Sequence, residues 1–338
     1  SPDHIARVHP EFVKTYGRFY WLDPGEPEVR RYVVGVVRDI VQRYDIDAIH
    51  FDDYFYPYPE NDAEFPDEES YRKYGAGLTR NAWRRRNVDL FIKEVSAAIR
   101  EEKPWVRFGI SPFGIWRPGH PASVRGLDAY DRIFADSKRW LQSGWIDYFV
   151  PQLYWGRSAP QQRFDHLLTW WSRQNRRRRH LWPGLAAHRV NSGRPNAFVP
   201  EEIDEQILRA RAERGVSGYV LFTAGSLMRN RGGLADRLAV LNRDEALVPE
   251  ASWLRDAAPA APSMTLERRG GVMRVSMRAE GARKWVVQYR IGRRWFTHVV
   301  ADASRDVPGA AEEVRVAAVG RSGKLSRWRT IRVPPGTY

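Results

Sequence analysis

The chain has 338 residues, 43% hydrophobic and 13% aromatic, which predicts about two folded domains and argues against disorder. It contains no cysteine, excluding disulfides, thiolate metal sites and a cysteine nucleophile, and no apolar run approaches the roughly 18 residues of a membrane helix. A net charge of +14, from 55 basic and 41 acidic residues, points either to an anionic partner or to a solvated basic surface; the arginines are spread along the chain, which favours the surface and argues against a nucleic-acid partner.

The opening stretch SPDHIARVHPEF reads as a polar loop without a signal peptide, so the true N-terminus is expected upstream. Residues 26–44 read as a helix, with Val29, Val33, Val36, Val37 and Ile40 as its apolar stripe and Pro24 and Pro27 near its start. IDAIHF (46–51) reads as a buried strand. A helix over 80–102 precedes the strand VRFGISP (106–112), and a helix over 129–143, ending at Gly144, precedes IDYFVPQLYW (146–155). A helix over 164–174 leads to the strand LWPGLAAHRV (181–190), with the arginine run 176–179 as a solvated connection on the bottom of the fold. A helix over 200–214 leads to SGYVLFTAG (217–225).

Strands alternating with helices predict a parallel sheet, either doubly wound or part of a barrel. No glycine-rich phosphate loop follows any strand, which weighs against a nucleotide cofactor; none is expected. Residues 246–263, containing AAPAAPS, read as an alanine- and proline-rich linker. Beyond it, the runs MRVSM, KWVVQYRI, RWFTHVV, EVRVAAVG and WRTIRV predict a small β-sandwich of the fibronectin type III kind over 264–338.

In a barrel, catalytic groups emerge at the C-terminal ends of strands. The first strand ends in Asp52 and Asp53, followed by Tyr54 and Tyr56. The second ends near Trp116 and Arg117, the third in Gln152, Tyr154 and Trp155, and the fourth in His188. Aromatic faces suit sugar rings, and amides, arginine and histidine suit their hydroxyl groups. Adjacent strand residues point to opposite faces, so one aspartate is expected in the site and the other against a neighbouring element. The pair admits catalysis, structural bracing or metal ligation. A hard metal would want more carboxylates than these strand ends offer, so no metal is assigned. Trp116 and Trp155 are either substrate platforms or packing residues, and His188 either contacts substrate or is a hydrogen-bonded structural histidine. Being furthest beyond the strand, Asp53 is expected to be the more exposed aspartate. Asp147, at a strand start, and Asp136, ahead of Trp140, are expected to be structural.

The phrases WLDPGEPEVRRYV, DAIHFDDYFYP, WRRRNVD, FGISPFGIWR, DYFVPQLYW and GYVLFTAGSL, with their spacing, resemble the glycosyl hydrolase-like 10 family over about residues 10–240. The resemblance implies a (β/α)8 TIM barrel over residues 1–245, of which the first units are missing, followed by the linker and the sandwich. It implies a bacterial, exported glycoside hydrolase of the periplasm or cell envelope, peripherally associated with it. Its partner would be an amino-sugar polysaccharide, the glycan strands of peptidoglycan. Carried onto this sequence, the acidic strand end falls on Asp52 and Asp53 as catalytic residues. The aromatic and amide rim falls on Tyr54, Tyr56, Trp116, Arg117, Gln152, Tyr154 and Trp155. The family carries about three further β/α units before WLDPG, with acidic strand ends of their own, so the identity of the second carboxylate stays open. The rival reading is a non-catalytic carbohydrate-binding protein on the same scaffold.

Overall fold

Several helices of the N-terminal part begin at a side chain that accepts a first-turn amide proton, and the longer ones bury one apolar stripe. The computed structural model describes residues 1–334, which fall into two compact units, Ser1–Ala239 and a second beginning at Val240. In the first unit, α1 (Ile5–Val8) leads into an antiparallel hairpin, β1 (Val13–Tyr16) and β2 (Phe19–Leu22), which turns at Gly17 with φ +55°. Helix α2 (Pro27–Arg43) starts on Pro27, whose fixed φ and missing N–H suit a first turn, and buries Val29, Val37 and Val41. Then follow β3 (Ala48–Phe51), α3 (Glu68–Tyr74) and α4 (Arg80–Glu102). Thr79 caps α4, its hydroxyl accepting from the Ala82 amide at 3.4 Å, and Ile92, Val95 and Ile99 bury its inner face. Arg30–Glu94 (3.0 Å) and Arg38–Glu102 (2.5 Å) tie α2 to α4.

Strand β4 (Arg107–Ile110) is buried throughout, as expected of a parallel strand covered on both faces. The single helix expected over 129–143 is two: α5 (Ala129–Arg132) and α6 (Ser137–Ser143). Phe134 between them takes φ +56° and is buried, and Asp136 opens a new helix by accepting from the Arg139 amide at 3.3 Å. An aspartate that can cap competes with helix continuation. Gly144, at φ +71°, ends α6 in the left-handed conformation that favours glycine.

The chain continues with β5 (Tyr148–Phe149), α7 (Phe164–Gln174), β6 (His180–Leu181), β7 (Gly184–Leu185), α8 (Pro200–Ala212), β8 (Val220–Leu221), α9 (Ala224–Met228) and α10 (Leu234–Leu241). The parallel strands pair in chain order: β3 with β4, β4 with β5, β5 with β6, and β7 with β8. Ile49 lies opposite Phe108, Ile110 opposite Phe149, and Phe149 opposite Leu181. Parallel bridges Phe113–Gln152 and Gln152–Gly184 carry the pairing past the strand ends where the site lies. At the other end, Asp147 is fully buried; it accepts from the Phe108 amide (2.8 Å) and from Arg100 (2.9 Å), a structural role. The arginine run lies in the turn between α7 and β6, with Arg176, Arg177 and Arg178 exposed. Among the described residues no helix is long and apolar enough to cross a membrane.

The second unit is antiparallel. A three-stranded sheet, β13 (Ser304–Pro308), β10 (Val272–Arg278) and β9 (Ser263–Arg269), and a four-stranded sheet, β12 (Arg294–Val300), β11 (Lys284–Ile291), β14 (Glu313–Val319) and β15 (Arg329–Arg332), share one core. Val275, Met277 and Val307 from the first sheet meet Trp285, Val287, Val314 and Val316 from the second. Alternate residues of β10 and β14 point inward, which is why their sequences were readable as strands. Residues 246–262 form no helix or strand but are not a free spacer. Ala251 and Leu254 are buried, the Ala251 amide donates to Ser322 at 2.8 Å, and the Lys324 ammonium donates to the Asp256 carbonyl at 2.5 Å.

Candidate active site

Past Phe51 the chain leaves β3, and Asp52 and Asp53 diverge as strand alternation requires. Their exposure is the reverse of the sequence expectation: Asp52 is the exposed one, and Asp53 is only 3% exposed. The chain turns at once, so Asp53 folds back under the following loop. There its Oδ2 accepts from the Tyr58 hydroxyl. Burial pushes the Asp53 carboxyl up to about 6; the neighbouring Asp52 adds to the rise and the Tyr58 hydrogen bond opposes it.

Asp52 sits in a polar frame. Its Oδ1 accepts from the Asp53 amide at 3.0 Å and from Gln152 Nε2 at 2.8 Å. The same Gln152 nitrogen donates to the Ser111 carbonyl at 2.9 Å, so the amide is fixed between the ends of β4 and β5. Tyr154 stands next along the rim, where burial and then the negative charges of Asp52 and Asp53 hold its phenol well above the usual range. Its ring stacks on Phe222 (centroids 5.7 Å apart) and meets His188 edge-on (5.6 Å), and His188 Nδ1 lies 3.1 Å from the Phe222 carbonyl. Tyr54 is 63% exposed on the other side and meets Tyr58 edge-on. Trp155 is half-buried, edge-on to Phe113. Asp52, Asp53, Gln152, Tyr54, Tyr154 and His188 are thus brought to one rim.

Three of the expected rim residues have other surroundings. Tyr56 is a correction: it is fully buried between Phe65 and Phe134, with Arg84 over its face, so no sugar can reach its ring. Arg117 is ion-paired with Asp128 (3.1 Å) and Asp131 (2.7 Å). Trp116 donates to Asp136 at 3.1 Å, stacks on Trp170 and lies under Lys138. Both follow the β4 loop outward onto the helices instead of standing over the aspartates.

Sequence reading passed over the residues that hold this loop. Tyr58, one position beyond FDDYFYP, fixes Asp53. Arg84, in WRRRNVD, grips the far end: it is 1% exposed and binds the fully buried Asp67 bidentately at 2.8 and 2.7 Å, with the Phe65 carbonyl at 3.1 Å. A buried planar guanidinium facing a carboxylate is a strong positional constraint. An arginine on the inner face of a long helix was the available signal. Inside the sheet, His50, Tyr148 and Trp182 stack in a row across β3, β5 and the strand after α7, with ring spacings of 5.7 and 4.9 Å. Among the described residues no three His, Asp or Glu side chains converge as a metal site.

Residues 1–200 match the family described as Glycosyl hydrolase-like 10. The chain is 40% identical over 275 residues to the glycosyl hydrolase YngK of Bacillus subtilis, covering 78% of this chain and 54% of that protein. It is 37% identical over 236 residues to the glycosyl hydrolase DigH of Escherichia coli K12, covering 66% of this chain and 53% of that protein. It therefore spans about half the length of the curated relatives it matches. Among solved structures, the PgaB (BpsB) glycoside hydrolase domain of Bordetella bronchiseptica aligns with a TM-score of 0.41 at 14% identity, covering 66% of this chain and 65% of that one.

Proposed function

The chain belongs to the glycosyl hydrolase-like 10 family, and from that premise we propose that it carries the acidic wall of a glycoside hydrolase acting on a bacterial cell-wall type glycan, the amino-sugar strands of peptidoglycan. The observation that carries the reading is the division of labour in the pair. Asp52 is exposed, hydrogen-bonded by Gln152 and flanked by Tyr154; Asp53 lies buried behind it with its carboxyl pushed up to about 6. Asp52 is the group a glycosidic oxygen or anomeric carbon can reach. Asp53, held by Tyr58, is a proton reservoir and positioning residue. Glycoside hydrolysis uses two carboxyl groups across the scissile bond, so a further carboxylate faces Asp52 over the bound sugar.

The same proposal takes the parallel strands β3 to β8 as an arc of a (β/α)8 barrel with the site at its C-terminal mouth, and the second unit as a fibronectin type III-like sandwich. It includes export, with action in the periplasm or cell envelope.

The test is release of reducing ends from peptide-stripped peptidoglycan strands by the wild-type protein and by Asp52→Asn. The expected loss is at least about a hundredfold, the low end for general acid–base catalysis. Rates near wild type in a folded Asp52→Asn protein would overturn the assignment. Glycan binding without any cleavage by the wild type would favour a carbohydrate-binding role.

A further inference from the structure

The rim continues past His188 into a pocket of about 310 Å³ lined by His188, Arg189, Ser192, Arg194, Asn196 and Arg231. Elsewhere in this unit buried or half-buried arginines meet carboxylates, as Arg84 meets Asp67 and Arg117 meets Asp128. Here three guanidinium groups gather and, among the described residues, none is ion-paired. Arg189 lies over the Phe198 ring at 5.7 Å, and Arg231 donates to the His188 carbonyl at 3.0 Å. Nearby acids are engaged elsewhere: Glu201 and Asp204 hold Arg237, and Asp236 accepts from Asn230 at 2.7 Å. The Ser192 hydroxyl is buried with no hydrogen-bond partner. Like charges packed together beside an unsatisfied polar group are costly unless an anion completes them. Burial lowers the His188 imidazole below its usual value, and Arg189, Arg194 and Arg231 lower it further, so all three project their charge on one spot.

We propose that this pocket is a carboxylate subsite, taking the acidic group of a sugar in the same glycan that Asp52 engages; it rests on the glycan reading above. The wall of Tyr154, Phe222 and His188 is continuous between the two places, with ring spacings of 5.7 Å from Tyr154 to Phe222 and 5.3 Å from Phe222 to His188. A sugar ring lying along that wall presents its substituent to the arginines, and a guanidinium fork matches the two oxygens of a carboxylate. The pocket therefore selects chains whose carboxyl groups are free and rejects chains in which they are amides, since an amide supplies no charge to the cluster.

The test measures equilibrium binding to the full chain bearing Asp52→Asn, so that strands stay intact. The probes are peptide-stripped glycan strands with free lactyl carboxyls, the same strands with those carboxyls converted to amides, and inorganic phosphate as competitor. The acidic strands should bind at least about tenfold more tightly than the amidated ones. Arg194→Gln, on an exposed loop position that tolerates change, and Arg189→Gln should each shrink that preference while leaving the amidated strands unaffected. Phosphate should compete only with the acidic strands. Equal binding of both strands overturns the subsite alone, as does a preference that survives both arginine changes. Phosphate binding without any preference between strands assigns the pocket to free anions and overturns it too. Binding of neither strand overturns the glycan reading and the subsite with it.

Discussion

The Tyr58 hydroxyl donates to Asp53 from five residues downstream, across the turn that follows β3, and this bond opposes the burial that raises the Asp53 carboxyl. The pair accounts for why the second aspartate of FDDYFYP faces inward while the first stays open to the rim. Tyr58→Phe removes the donor and keeps the ring. The Asp53 carboxyl should then titrate higher. The limb of the pH–rate profile governed by Asp53 should move to higher pH, and the melting temperature at neutral pH should fall, because a higher folded value deepens the penalty of ionising Asp53. A limb that stays in place would remove Asp53 from the rate-controlling titration.

Burial pushes the Asp53 carboxyl up to about 6, next to Asp52, and in the proposed mechanism its protonated form is the reservoir for the acid step. Cleavage, as kcat/KM, should fall as pH rises through about 6. A profile flat from pH 5 to about 7.5 would separate Asp53 from the chemistry.

The same titration makes a stability prediction. The folded value of about 6 lies above the ordinary 3.8, so the native state binds more protons than the unfolded chain between those values. Stability therefore falls as pH rises through the window from about 4 to 6, and the full penalty persists above it. Asp53→Asn removes a penalty on the order of 3 kcal/mol at neutral pH. The variant should melt higher than wild type at pH 7.5, and the gain should shrink towards pH 4. A pH-independent difference would mean the effect is packing.

Much of this geometry was legible because strand and helix periodicities are strong where burial is complete. RFGI is buried throughout, α4 carries a full apolar face, and the strand-end rule led to Asp52, Gln152 and Tyr154 directly. What sequence could not supply is set by loop paths. The backbone turn after Asp52 decides which aspartate is covered, and the loop after β4 carries Trp116 and Arg117 towards Asp136, Asp128 and Asp131. The hairpin at 13–22 and strand β9 were unread for a different reason: their outward residues are exposed, so the alternation that signals a strand is weak.

The loop that carries Tyr58 depends on Arg84. Arg84→Lys keeps the charge but loses the two-pronged contact with Asp67 and the contact with the Phe65 carbonyl. Leaving a buried carboxylate half-satisfied costs roughly 3 kcal/mol. Limited proteolysis should then cut within residues 57–67 faster than in wild type, and glycan cleavage should drop with it. Unchanged proteolysis would show that the aromatic packing of Tyr56 with Phe65 and Phe134 holds the loop alone.

Two aspartates at opposite ends of the sheet separate site from scaffold. Asp52 is exposed beside Gln152, and nothing in the fold depends on its charge beyond that one amide and its own neighbour's N–H. Asp147 is fully buried and satisfies both the Phe108 amide and Arg100. Asp147→Ala leaves the amide without its acceptor and the arginine without its partner, at a cost of about 2–4 kcal/mol. It lies away from the rim, so the folded fraction should cleave glycan at the wild-type rate. Asp52→Asn should do the opposite. The amide retains the shape and the Gln152 contact region but carries no negative charge, so turnover should fall about a hundredfold or more while melting and strand binding stay close to wild type. Melting curves and single-turnover cleavage on both variants decide the matter. If Asp147→Ala proved the inactive protein and Asp52→Asn the unstable one, the ends of the sheet would have been assigned the wrong way round.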